Sequence, residues 1–383
     1  MDFDLSQEQR EIMETARKFA QTEFPKVARQ CDREERYPRE IWQMAADLGF
    51  MGILISTDYG GLGLGVLEHS LVMEEFWRAD PGVGNVLLAV FGSEIIQAFG
   101  TEEQKQRYLP EIAQGRAISA CAITEPNAGS DIFAQTCAAV RAGDDYVING
   151  TKQFISNGAV ADFVVVMCRV RPQEENRLKR HGFLVVERDR KGFTATKLTG
   201  KMGIRASDTA TLSFDDVRVP AENLIGMKEG EGFRQVMLLF NINRVVAAAQ
   251  GVGVAQGSMD RTLKYVKERI QFGRPIASFQ GVQFTLAEMA ARIDSARQMY
   301  YLAAWQIDNH RIDPRTISIA KLLAGQTAVW VTQEAVQLHG GYGYMDEYDV
   351  ERFYRDAKIV EIYEGTREIE KMTIARELLG REF

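Results

Sequence analysis

Glu364 stands in Glu361-Ile-Tyr-Glu-Gly-Thr-Arg-Glu368, and its neighbours separate it from the other acids of that run. Gly365 permits a backbone angle that side chains disfavour, and Thr366 is a candidate N-cap for a helix from Arg367 to Leu379. A carboxylate on a loop just ahead of a helix can project into a cavity and accept a proton there. By composition alone it is one more solvated charge. The stretch Thr124-Glu-Pro-Asn-Ala-Gly-Ser-Asp131 holds Pro126, Asn127 and Gly129, which make a turn. Its amides and the hydroxyls of Thr124 and Ser130 could face outward as hydrogen-bond donors, or the stretch is a plain surface turn. Phe154-Ile155-Ser156 closes a strand pattern; Ile155 suits a core, while Phe154 and Ser156 offer an aromatic and a hydroxyl. Arg269 and Gln280 flank Phe272 at a helix end and the loop after it, where an arginine ordinarily complements the helix dipole. Gly340-Gly341, following Gln337-Leu338-His339, could equally be a C-cap, and His339 taken alone is a packed or capping histidine.

Two glycine-rich stretches are decoys. Gly251-Val-Gly-Val-Ala-Gln-Gly257 imitates a dinucleotide fingerprint, but that motif needs a strand before it, and Arg244 to Gln250 already has a helical pattern. Its glycines are better explained as points where two helices approach closely. Gly60-Gly-Leu-Gly-Leu-Gly65 lacks the Lys-Ser/Thr of a phosphate-binding loop. Four histidines and four cysteines show no ligand spacing, so no metal site is expected. Cys31, Cys121, Cys137 and Cys168 lie far apart in sequence, which suits a reducing compartment better than a disulfide scaffold.

The elements that must carry these residues change texture along the chain. From Leu5 to about Arg116 the pattern is helical. From about Ala117 to Met227 the period shifts towards two: Tyr146–Ile148 and Lys152–Ile155 flank Asn149-Gly150, an expected hairpin turn, and Asn157-Gly158 precedes Phe163–Val166. Phe183–Glu187 and Ala210–Phe214 are further strands. From Glu229 onward the chain is helical again, and Leu286, Met289, Ile293, Ala296, Tyr300, Ala303 and Ile307 mark one face of a long helix. The expected fold is therefore α+β and multidomain: a helical N-terminal domain over 1–116, an antiparallel β domain over 117–228, and a four-helix-bundle-like domain over 229–383.

The chain of 383 residues exceeds the size of one core, and its 45% hydrophobic and 26% charged content is that of a globular protein. A formal net charge of −7 argues against nucleic acid as the main partner. The acidic, amphipathic N-terminus is unlike a signal peptide, and no apolar run approaches a membrane span. A cytoplasmic location is expected, or the mitochondrial matrix if a targeting peptide has been removed.

Ile123-Thr-Glu-Pro-Asn-Ala-Gly-Ser-Asp131 resembles the signature of the acyl-CoA dehydrogenases. The resemblance continues in order through Asn149–Gly158, Gly203–Ser207, Phe214–Pro220, Arg269–Gly273, Gln337–Gly343, Arg355–Lys358 and Ile362–Thr366. Eight blocks in register span most of the chain and are far more specific than any one.

The resemblance implies an FAD-dependent α,β-dehydrogenation of an acyl-CoA to a trans-2-enoyl-CoA, with Glu364 removing the α-proton. A related branch takes its base from the position of Asn243, an amide that cannot serve, so both positions point to Glu364. The cofactor-binding positions carried over are Ile123, Thr124, Ser130, Phe154, Ile155, Ser156, Arg269, Phe272, Gln280, Gln337, Leu338, His339, Gly340, Gly341, Thr366 and Glu368. Phe154 and Ser156 stand where the family often has Trp and Thr. Ser130, Asn241, Arg244 and Gly365 are the implied substrate contacts, and many members have Asp at the position of Asn241. Arg269, Gln280 and the Gln337–Gly341 segment would reach a neighbouring subunit's FAD, which implies a dimer at least and commonly a homotetramer. The implied electron acceptor is an electron-transferring flavoprotein, and the length matches dehydrogenases rather than the longer peroxisomal oxidases. Rival readings are an enoyl-CoA reductase or an oxygen-using oxidase on the same scaffold, and a catalytically silent helical scaffold. The acyl group is left open, its pocket depending on residues such as Asn85 to Phe91 and Gln250.

Overall fold

The computed structural model describes residues 4–87 and 91–380. Part of the Asn85–Phe91 segment expected near the acyl group, residues 88–90, lies outside them. Seven helices come first: α1 Gln7–Glu23, α2 Ala28–Glu34, α3 Arg39–Asp47, α4 Val66–Ala79, α5 Pro81–Val86, α6 Ser93–Phe99 and α7 Glu102–Ala113. Seven strands follow: β1 Ser119–Ala122, β2 Ala138–Ala142, β3 Asp145–Ser156, β4 Phe163–Arg169, β5 His181–Glu187, β6 Phe193–Lys197 and β7 Thr209–Pro220. The C-terminal part holds α8 Gly232–Glu268, a hairpin of β8 Ile270–Gln271 and β9 Arg274–Pro275, then α9 Gln280–Asp308, α10 Pro314–His339, α11 Val350–Ala357 and α12 Arg367–Leu379.

The sheet runs β1-β4-β2-β3-β7-β6, with β5 also on β4. Most pairings are antiparallel as expected, but β1 and β2 run parallel to β4, so the sheet is mixed. Asn149-Gly150 is not a turn. It lies inside β3, where the register against β7 jumps between Ile148 and Gly150. Gly150 has φ 144, and a Cβ there would sit 2.7 Å from the Cα of Cys137, so the Asn-Gly pair makes a bulge against the start of the neighbouring strand β2. The hairpin turn is Gly143-Asp144, between paired Ala142 and Asp145.

Helix α8 packs on α4, α9 and α10. The expected stripe on α9 faces inward, with Met289, Ile293, Ala296, Tyr300 and Ala303 buried. Gly251, Gly253 and Gly257 lie inside α8 as close-approach points: a Cβ on Gly253 would sit 2.3 Å from the Glu74 carbonyl, and one on Gly257 2.2 Å from that of Arg78. By length and composition α8 is apolar enough to cross a membrane, an apolar run missed in the sequence, yet most of that stretch is buried within the protein.

Polar clamps join the three parts. Asp308 accepts from the Val66 and Leu67 amides at 2.7 and 3.0 Å, capping α4 from the end of α9. Asp80 caps α5 and takes Arg352 of α11 at 2.9 Å, with both side chains buried. Asp356 accepts from the Ile204 amide at 2.6 Å. Among the described residues the four cysteines are free, but Cys137 and Cys168 are not far apart in space: their sulfurs lie 3.8 Å from each other, brought together where β2 meets β4.

Candidate active site

Where β3 ends, its register against β7 breaks again, between Lys152 and Ile155. Ile155 turns into the core, while Phe154 takes φ 60 and leaves its ring 66% exposed. A bulky residue in the left-handed region is held against its preference by the bulge around it. Lys152 turns inward and is fully buried. Its ammonium donates to the Ile123 carbonyl (3.0 Å), to Glu125 Oε1 (2.9 Å) and to Gln135 Oε1 (3.0 Å). Glu125 also accepts from the Thr136 and Cys137 amides at 2.7 and 3.0 Å. Burial works to raise its carboxyl, but the Lys152 charge and these amides outweigh it and hold Glu125 below the ordinary range. The Gln153 amide donates to the Thr124 carbonyl at 2.8 Å. The Thr124–Asp131 turn is thus pinned from behind, by a network with no local signal in the sequence.

Phe154, Ser156, Thr124 and Ser130 line a cavity of about 670 Å³ that Glu364 also lines. Ile123, Ile155, Arg244, Gly365 and Thr366 belong to the same wall, with Asn243, Tyr363 and the cationic Lys201, Arg355 and Lys358.

Glu364 has φ 52 and Gly365 φ 106, two successive left-handed residues. The second is demanded by packing, since a Cβ on Gly365 would lie 2.0 Å from Glu370 Oε1. Thr366 caps α12 as expected, its hydroxyl accepting from the Ile369 amide at 3.3 Å. Glu370 is fully buried with its carboxylate 3.0 Å from Arg244 Nε, within ion-pair distance though not angled as a hydrogen bond. Lys321, buried on α10, donates to the Gly365 carbonyl. Lys321 and Glu370 are the site residues that sequence reading missed; each is a charge in a helical pattern, without a local signal.

Burial raises the Glu364 carboxyl above the ordinary range, and Lys321, Arg244 and the Asn243 amide oppose that rise. Burial also pushes Lys321 down to about 8, against the pull of Glu370 and Glu364. A half-buried carboxylate of raised basicity on a cavity wall is equipped to take a proton.

The remaining candidates assemble elsewhere. Arg269 ends α8 with its guanidinium 5.4 Å from the Tyr342 ring centroid, and His339 stacks on Tyr265 at 4.2 Å. His339 Nδ1 donates to the Ala335 carbonyl (2.7 Å), the behaviour of a packed histidine, and burial lowers its pKa. Gly340, with φ 60, is the C-cap of α10. Phe272 sits in the β8–β9 turn, 94% exposed, with its ring centroid 6.0 Å from that of Phe279, the residue before Gln280 at the start of α9. Gln337, Leu338, Gly341 and exposed Glu368 do not line the cavity, nor does Asn241, which is buried on α8 one turn before Arg244.

Comparison with known proteins matches the whole chain. Residues 6–116, 120–217 and 230–379 match the N-terminal, middle and C-terminal domains of acyl-CoA dehydrogenase. The chain is similar to acryloyl-CoA reductase (NADH) of Anaerotignum propionicum, 43% identical over all of this chain and 97% of that protein. A chain in the structure of the electron transferring flavoprotein of Acidaminococcus fermentans superposes with a TM-score of 0.96 at 40% identity, covering 99% of this chain and all of that one. Butyryl-CoA dehydrogenase of Megasphaera elsdenii gives 0.95 at 37% identity, with 99% of this chain and all of that one covered. The chain belongs to the acyl-CoA dehydrogenase family, FAD-binding oxidoreductases acting on the CH–CH bond of acyl-CoA thioesters.

Proposed function

We propose that Glu364 removes the α-proton of an acyl-CoA as its β-hydrogen leaves, giving the trans-2-enoyl thioester. The supporting observation is a carboxylate of raised basicity sharing one cavity with an exposed aromatic and three hydroxyls. FAD supplies the hydride acceptor when bound. The residues suit that group: the strained, outward Phe154 offers a flat face, and Thr124, Ser130 and Ser156 offer donors to ring carbonyls and nitrogens. The Glu364 amide would polarise the thioester carbonyl, and Arg244 would hold the CoA side of the ligand.

The adenine end has a different address. Arg269, Phe272, Gln280 and Gln337–Gly341 lie away from the cavity, and we assign them to FAD held by a second copy of the chain, making the enzyme a dimer at least and a tetramer by family habit. Thr366 and Glu368 are assigned to the cofactor on the same footing. We infer an electron-transferring flavoprotein as acceptor and the cytoplasm as location. A second reading draws on the 43% identity to an acryloyl-CoA reductase: the same site run in reverse, with Glu364 delivering the proton.

Anaerobic titration of the FAD-loaded protein with acyl-CoAs should bleach the flavin band. Glu364→Gln should bind the same ligands without bleaching, and bleaching at the normal rate would remove Glu364 from its role. Electron transfer from acyl-CoA to an electron-transferring flavoprotein, set against NADH-driven reduction of enoyl-CoA, separates the two directions.

A further inference from the structure

The cavity wall continues past Glu364. Phe91, Asn243, Tyr363 and Glu364 line the large cavity and also a small adjoining recess. That recess measures about 10 Å³, the room of a single water. Among the described residues the rest of its wall is His69, Glu94, Val246 and Gln250, of which Val246 alone is apolar.

Gln250 is 1% exposed, and its Oε1 accepts from the Tyr363 hydroxyl, which fixes the amide so that Nε2 is left unpartnered. His69 is buried on α4 with Nδ1 unpartnered, and burial pushes its pKa down to about 4, so the ring is neutral. The Glu94 carboxyl is held by the Gly92 amide at 3.1 Å and is close enough to Glu364 for the two charges to repel. Three polar groups therefore meet at a space too small for a hydrocarbon tail.

We propose that this recess is the blind end of the acyl site and limits the substrate to short acyl groups, of about three or four carbons, with Glu94 and Gln250 as specificity-determining residues. The proposal rests on Glu364 being the base: a carboxylate that reaches the α-carbon puts the rest of the chain at this recess. A longer tail entering it would displace the one water that suits an amide donor, a ring nitrogen and a carboxyl, and would gain only Val246 as an apolar contact. Among the described residues the recess wall has no Lys or Arg to pair a terminal carboxylate, so dicarboxylic thioesters are excluded with the long ones.

The test uses the FAD-loaded protein under anaerobic conditions with propionyl-, butyryl-, hexanoyl-, octanoyl- and glutaryl-CoA, following the flavin band at limiting substrate. The expected rate constants are highest for propionyl- or butyryl-CoA and at least roughly tenfold lower for hexanoyl-CoA. Little bleaching is expected with glutaryl-CoA. The double variant Glu94→Ala/Gln250→Ala should narrow the butyryl-to-hexanoyl gap by roughly tenfold, with Gln250→Ala alone as the substitute if the double variant does not fold. Octanoyl- or glutaryl-CoA oxidised as fast as butyryl-CoA by the wild type, or a chain-length profile unmoved in the variants, overturns this inference and leaves Glu364 in its role. No bleaching with any of the five ligands overturns the reading of the site and the inference with it.

Discussion

At the scale of single residues, Glu364 and Lys152 divide the work between chemistry and support. The burial that raises the Glu364 carboxyl has a kinetic consequence. The base acts only when deprotonated, so kcat/KM for acyl-CoA oxidation should rise with pH through an apparent pKa above that of a free glutamate and then level off. A pH–rate profile checks this, and a flat acid limb would contradict it. Lys152 is a fully buried ammonium with three oxygen acceptors behind the Thr124–Asp131 turn. Lys152→Met should leave Glu125 buried without its partner and cost roughly 3–5 kcal/mol of stability. Chemical denaturation measures that loss, and a weakened FAD affinity should accompany it as the turn loosens. Glu94 makes a stability prediction of opposite sign to the usual carboxylate. Burial pushes it up to about 7. Its favourable contribution is whole below the unfolded value of about 4.3 and is lost as pH rises through about 7. Glu94→Gln should therefore gain stability relative to wild type as pH goes from 5 to 8, by up to about 2–3 kcal/mol, read as a widening difference in Tm.

At the scale of elements, the contact of α8 with α4 depends on missing side chains. Alanine in place of glycine in a helix ordinarily stabilises by about 1 kcal/mol. At Gly257 the added carbon would lie 2.2 Å from a backbone carbonyl and 2.7 Å from the Phe353 ring, so overpacking wins. Gly257→Ala should cost roughly 1–3 kcal/mol, seen as a lower urea midpoint with an unchanged slope. Gly281→Ala, in the first turn of α9 with nothing within 4 Å of the added carbon, is the control and should be neutral or mildly stabilising. The same geometry shows why the glycine pattern of α8 misleads when taken for a nucleotide motif: its purpose is the distance between two helix backbones.

At the scale of the whole molecule, the candidate positions fall into two groups. One lines the cavity within the chain, and the other, around Arg269, Phe272 and Gln280, lies away from it with Phe272 exposed. A phenylalanine ring 94% exposed at the tip of a hairpin is suited to a second subunit. Phe272→Asp should leave helical content unchanged by circular dichroism while shifting the protein to a smaller species on size exclusion and lowering its FAD content. Full assembly and full flavin content in that variant would remove Phe272 from the shared site.

Read alone, the sequence determined the order of helical and β texture, the inward face of α9 and the cap at Thr366. These are local or periodic properties, and a period or a cap is written in neighbouring residues. Tertiary structure decided what depends on distant partners. It turned Asn149-Gly150 into a bulge against the start of the neighbouring strand β2, and it brought Cys137 to Cys168 by a parallel pairing. It surrounded Glu364 with Lys321 and Glu370, whose charges in sequence look like any solvated helix face. Whether a charge is solvated or buried beside a base is a property of what folds over it, and that information is spread over the whole chain.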